Sequence, residues 1–206
     1  MPASLLEEIG DLTLEHLFLV IVTMLIAATL GIPGGILLTR HAMVRQWALG
    51  VISAVQTIPS LALFGFLIPL PFLGGIGKST AIIALVLYAL LPIVQNTVTG
   101  IVGVDRVVRE SAIAMGLTPR QLLTEIELPL AARTILTGLR IATVTTIGTA
   151  TIAAAIGAGG LGVFIFRGLA SVDATLLLAG AIPAATMAIV LDRGLEWVVQ
   201  RSSPVS

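Results

Sequence analysis

Two glycine-rich segments have the spacing that holds phosphates. Gly157, Gly159 and Gly162 match G-x-G-x-x-G, a turn that brings backbone N–H groups against a dinucleotide when it joins a strand to a helix, with an acid about 20 residues on. Here the segment closes a long apolar run, and the next acid is Asp173. Phe72-Leu-Gly-Gly-Ile-Gly-Lys-Ser79 ends in the Gly77-Lys78-Ser79 of a P-loop, but Phe72 stands where the first glycine belongs. Neither segment is expected to bind a nucleotide. Other chemistries lack their residues: there is no Cys, hence no thiolate nucleophile, thiolate zinc site or disulfide. The two His leave little for metal ligation, and no Ser–His arrangement or pair of carboxylates falls within an apolar run. Eleven basic and eleven acidic residues cancel, which gives no reason to expect a nucleic acid as partner. What remains is one polar stretch, 105–133, and isolated polar side chains set among apolar neighbours.

Those neighbours dictate the class. Of 206 residues 57% are hydrophobic and only 11% charged, against about 25% charged in a soluble domain. Residues 17–39, 46–77, 79–104, 141–166 and 174–191 contain no Asp, Glu, Lys or Arg, and about 20 apolar residues make a helix that crosses a bilayer. The runs are continuously apolar rather than alternating, which argues against a β-barrel. The expectation is an all-α, polytopic membrane protein with a single domain over 1–206 and five spans, near 16–39, 47–70, 79–101, 136–158 and 174–192. Pro69, Pro71 and Gly74–Gly75 end the second. Glu7, Glu8, Asp11 and Glu15 precede the first span with no Lys or Arg, so that span reads as a permanent anchor rather than a signal peptide. Arg40, Arg45, Arg106, Arg109, Arg120, Arg133, Arg140, Arg193 and Arg201 gather on one side, against Lys78 and Arg167 on the other. The positive-inside rule then puts the N-terminus outside and the C-terminus in the cytoplasm.

The polar stretch reads as a helical hairpin on the cytoplasmic side. Asp105 caps a helix whose apolar positions include Val108, Ala112 and Met115. Gly116 ends it. Thr118 caps a second helix, with Pro119 at its first position and Gln121 completing a capping box, and Pro129 is expected to close it. Within the hairpin, Glu110-Ser111-Ala112, then Gly116, then nine residues to Ile126-Glu127-Leu128-Pro129 resembles the EAA loop of ATP-binding-cassette importer permeases. Ser111 stands where the family has a second alanine. Gln56-Thr-Ile-Pro-Ser-Leu-Ala-Leu63, Tyr88-Ala-Leu-Leu-Pro-Ile93 with Asn96-Thr97, and Ile156-Gly-Ala-Gly-Gly-Leu-Gly162 look like the branch that serves glycine betaine, choline, carnitine and relatives.

The resemblance, over roughly residues 15–192, implies the rest. A permease of this type is not itself catalytic and binds no cofactor; ATP and Mg belong to a separate cytoplasmic ATPase dimer, on which the loop docks as a coupling helix. Arg109, Glu110 and Arg120 are then the polar contacts, with Ser111, Ala112 and Gly116 allowing close approach. The remaining partners are a second permease subunit, a copy or a paralogue, and a separate extracytoplasmic solute-binding protein. The location implied is the bacterial cytoplasmic membrane. With nine aromatics and no cluster of them beside an acid within a span, a tight cage for a quaternary ammonium is not expected here. A low-affinity passage lined by small polar groups is expected instead. Gln56, Ser60, Tyr88, Thr145, Thr146 and Thr149 are the candidates, and hydrogen bonding between neighbouring helices is the competing role for them. Pro59 and Pro92 could kink their spans, and Gly31 and Gly35 form a face for helix packing. The same loop also fits permeases for methionine, phosphonate or another solute. A secondary carrier or channel would need ionisable residues or inverted repeats inside the membrane, and the spans read as free of both.

Overall fold

The computed structural model describes residues 3–70 and 74–201. Within them every regular element is helical. Four of the described helices are long and apolar enough to cross a membrane, and a bent pair adds a fifth if the two count as one span. The helix α1 (Ala3–Leu38) starts well before the expected span, because Glu7, Glu8, Asp11 and Glu15 are all good or tolerable helix residues and two of them find partners. Glu8 meets Arg167 at 2.5 Å and Glu15 meets Lys78 at 2.8 Å.

The second span is not one helix. α2 (Ala42–Thr57) and α3 (Ser60–Leu67) meet at 98°. Ile58 before the proline is extended, as the ring of Pro59 demands, and its carbonyl accepts the Tyr88 hydroxyl from α4 (Lys78–Val102). Pro92 behaves differently. It lacks the N–H that would serve the carbonyl of Tyr88 four residues earlier, and Gln56 Nε2 supplies the donor from α2 at 2.7 Å, so α4 runs unbroken through it. One proline breaks its span and the other does not, and Tyr88 takes part in both: its hydroxyl meets the Ile58 carbonyl at the break, and its own carbonyl accepts from Gln56 beside Pro92. Pro71 and Phe72, named above for the end of the second span and the P-loop-like segment, lie outside the described residues.

After α4 come α5 (Arg106–Ala114) and α6 (Pro119–Gln121), the two arms of the hairpin. The second arm does not end at Pro129. It passes through a wide π-type turn at Leu122–Glu127, where Leu128 N–H reaches back five residues to the Leu123 carbonyl, and continues as α7 (Leu128–Ile152). The proline follows the widened turn directly and sits in the first turn of α7, where its ring is tolerated. Pro119–Ile156 is thereby a single helical column of 38 residues, about 57 Å long at 1.5 Å per residue.

α7 tightens into a short 3-10 turn (Ala153–Ile156) and the glycine segment 157–162, with Gly157, Gly159 and Gly160 at positive φ. A short helix that the charge-free run had merged with this span follows, α8 (Gly162–Ser171), and then α9 (Ala174–Arg201). The core lies among α1, α3, α4 and α7, around Leu19, Phe64, Leu85, Ile93, Ala142 and Ile147. Small residues let these helices approach: a Cβ on Gly35 would stand 2.7 Å from Thr97 Cβ, and one on Gly138 2.6 Å from Asn96 Cβ. The helices also outrun the charge-free stretches. Arg140 lies inside α7 and pairs with Asp192 of α9, so ionisable groups do occur along the membrane helices.

Candidate functional site: the hairpin and the polar cavity

The hairpin is built by local chemistry. The Asp105 carboxylate accepts from Val107 N–H at 2.7 Å and opens α5. Its end is a Schellman arrangement: Gly116 N–H donates to the Ile113 carbonyl (2.9 Å) and Leu117 N–H to the Ala112 carbonyl (3.2 Å), with Gly116 at φ +86°. A Cβ there would meet nothing within 4 Å, so the glycine answers a backbone need and not a steric one. Thr118 and Gln121 then form the expected capping box.

Ala112 is 1% exposed and turns inward. Val107, Glu110, Ser111 and Ala114 recur at the three- and four-residue helical interval and occupy the opposite, exposed face. Val108 and Met115, the other apolar positions named with Ala112, are exposed at 40% and 73%. Glu110 pairs with Arg106 on that surface at 2.6 Å, and Arg120 is exposed on the second arm. Arg109 points the other way. Its guanidinium donates to the Ile101 carbonyl at 2.9 Å and lies 3.0 Å from Glu127, whose other oxygen is 3.5 Å from Arg40. Glu127 is 2% exposed. A buried carboxylate shared by two arginines thus ties the end of α1, the first hairpin arm and the π turn together. Glu127 stands in the sequence motif, but its partners lie far off in the chain, and no spacing announces them.

Along the column lies a cavity of about 470 Å³, walled by Gln56 of α2, Leu91, Pro92, Gln95, Asn96 and Thr99 of α4, and Ile141 and Thr145 of α7. Sites for small molecules span about 300–1,000 Å³. Of the six residues expected to line a passage, Gln56 and Thr145 line this cavity. Tyr88 stands behind the wall, holding the α2–α3 break. Ser60 opens α3 at that break. Thr146 is buried against α1, its hydroxyl 3.9 Å from Met24 Sδ, and half-buried Thr149 donates to the Thr145 carbonyl at 2.9 Å. Gln95, Asn96 and Thr99 were missed, although their recurrence with Pro92 at helical spacing marks one polar face of α4.

The family model for the inner membrane component of binding-protein-dependent transport systems matches residues 31–204. A carnitine transport permease (OpuCB) of Listeria monocytogenes is 44% identical over 93% of this chain and 87% of its own. A glycine betaine/carnitine/choline permease (OpuCD) of Bacillus subtilis is 42% identical over 93% of this chain and 82% of its own. An osmoprotectant import permease (OsmW) of Salmonella typhimurium is 42% identical over 94% and 89%. Among solved structures, the inward-facing MetNI methionine ABC transporter contains a chain of the same fold. Its TM-score is 0.89 at 22% identity, over 99% of this chain and 100% of that one. With a family match across most of its length, helices that suit a bilayer and relatives above 40% identity, the chain belongs to the inner-membrane permease family of binding-protein-dependent, ATP-binding-cassette transporters.

Proposed function

We propose that this chain is the membrane subunit of an importer that moves a quaternary-amine osmoprotectant, such as glycine betaine, carnitine or choline, by alternating access driven by a separate ATPase. The observation that carries the reading is the continuous Pro119–Ile156 column. Its first turns form the second arm of the hairpin and its middle carries Thr145 into the cavity wall. Closure of two cytoplasmic ATPase subunits on ATP and Mg displaces the hairpin. Glu127, Arg109 and Arg40 keep that hairpin fixed to α1 and α4, so the displacement tilts the helices as bodies instead of dissipating in the loop. Val107, Glu110, Ser111 and Ala114 face the ATPase, with Arg120 at the edge. Ala112 and Arg109 shape the hairpin from behind. Gly116 sets the turn.

The arginine-rich hairpin end faces the cytoplasm and the glycine segment faces outward. A second permease subunit, a copy or a paralogue, closes the open side of the cavity, and an extracytoplasmic binding protein supplies affinity that Gln56, Gln95, Asn96, Thr99 and Thr145 do not. The solute class rests on the relatives at 42–44% identity, because a likeness of 22% speaks for the fold alone.

The test is reconstitution of the permease pair with its ATPase and binding protein in liposomes. ATP-dependent accumulation of choline, carnitine or glycine betaine is expected. Accumulation of methionine alone would move the solute assignment, and flux without ATP would point to a carrier or channel.

A further inference from the structure

A second concavity of about 320 Å³ adjoins the first and shares Ile141 and Thr145 with it. Its other walls are Thr137, Arg140, Val144 and Asp192. Arg140 Nε and an Nη donate to the two Asp192 oxygens at 2.5 and 2.8 Å, a two-point pairing between α7 and α9. Glu196 approaches the same guanidinium at 3.5 Å and is also 3.5 Å from Arg193. Both members of the pair keep about a third of their side-chain surface open, 29% each. A cation and an anion therefore stand side by side on the wall of a concavity that shares two wall residues with the polar cavity.

We propose that the Arg140–Asp192 pair is a low-affinity station for zwitterionic solutes on their way through the permease. The inference rests on the solute class proposed above. A solute with a trimethylammonium and a carboxylate can insert between the two side chains, its carboxylate accepting from Arg140 and its ammonium facing Asp192. One ion pair is exchanged for two, the total charge stays zero, and no proton moves. The protein pair re-forms when the solute leaves, so the station returns by itself to its closed state and never holds its cargo tightly, as conduction requires. A monovalent cation of the same shape, such as choline, uses Asp192 and has no use for Arg140.

That asymmetry gives the experiment. Uptake of choline and of glycine betaine is measured in the complete transporter in liposomes, for wild type, Arg140→Gln, Asp192→Asn and Arg140→Lys, at matched incorporation and matched size-exclusion profiles. Arg140→Gln should raise the choline-to-betaine uptake ratio about tenfold or more, since a charge-assisted two-point contact to carboxylate is lost for one solute only. Asp192→Asn should lower choline uptake at least as strongly as betaine uptake. Arg140→Lys, which keeps the charge, should return the ratio most of the way to the wild-type value. Losses equal for both solutes in every variant would make the pair a structural clamp between α7 and α9 and overturn the proposal. Loss of the permease pair on size exclusion would make it a subunit contact and would overturn the proposal as well. A wild type that transports neither solute would instead refute the solute class, which separates that failure from this one.

Discussion

Replacing Glu127 by Gln keeps the volume and one acceptor but removes the negative charge that Arg40 and Arg109 share at 3.5 and 3.0 Å. A single pair 4 Å apart is worth about 4 kcal/mol at a surface-like effective dielectric. Arg40 and Arg109 retain 41% and 32% of their side-chain exposure, so water takes over much of what the carboxylate supplied. The loss is then set at about 1.5–3 kcal/mol, below the full cost of stranding a buried charge. Converted to populations, hairpins detached from α1 and α4 rise about 10- to 150-fold. Hydrogen exchange followed by mass spectrometry reads this directly: amides within 105–118 should lose protection by that factor while amides within 80–98 of α4 keep theirs. In the assembled transporter the same variant should hydrolyse ATP without matching solute uptake, because the ATPase would then move a loose hairpin. Unchanged protection at 105–118, or an equal loss throughout α4 and α7, would refute the role of Glu127 in holding the hairpin to the helices.

The two glycines Gly116 and Gly138 should fail for opposite reasons. Gly116→Ala meets open space and loses only the left-handed conformation, about 1 kcal/mol, whereas Gly138→Ala places a Cβ 2.6 Å from Asn96 Cβ and 2.7 Å from the Pro92 carbonyl and should cost more, about 1–3 kcal/mol. Thermal midpoints of the purified permease should order them so; the reverse order would show that α4 and α7 yield freely. Neighbouring threonines should also separate: Thr145→Val, on the cavity wall, should alter uptake with little change in midpoint. Thr146→Val, buried against Met24, should shift the midpoint and leave the apparent affinity for solute alone.

What the sequence makes legible follows how far apart the interacting residues lie. Asp105, Gly116, Thr118 and Gln121 act within a few positions of one another, so caps and turn could be written down residue by residue. The long apolar helices were legible from charge-free runs, but their limits were not, since Glu8, Glu15 and Arg140 extend helices past those runs by pairing with Arg167, Lys78 and Asp192. Pro59 and Pro92 look alike in sequence and act differently because Tyr88 and Gln56 reach across from other helices. The π turn that carries the chain through Pro129 has no residue signature. The polar face of α4 at Gln95, Asn96 and Thr99 was visible in principle as a helical recurrence within an apolar run.

Coupling as proposed depends on the outer face of the hairpin being the docking surface for an ATPase. Val107 and Ala114 are exposed there and on the side away from Ala112, so Val107→Asp/Ala114→Lys should leave the permease itself intact. Co-purification with the ATPase of the same importer, from detergent, compares this double variant with wild type at equal expression and monodispersity. Retention by wild type and loss by the variant is the predicted result. Equal retention by both, or no ATPase held by either, would contradict it.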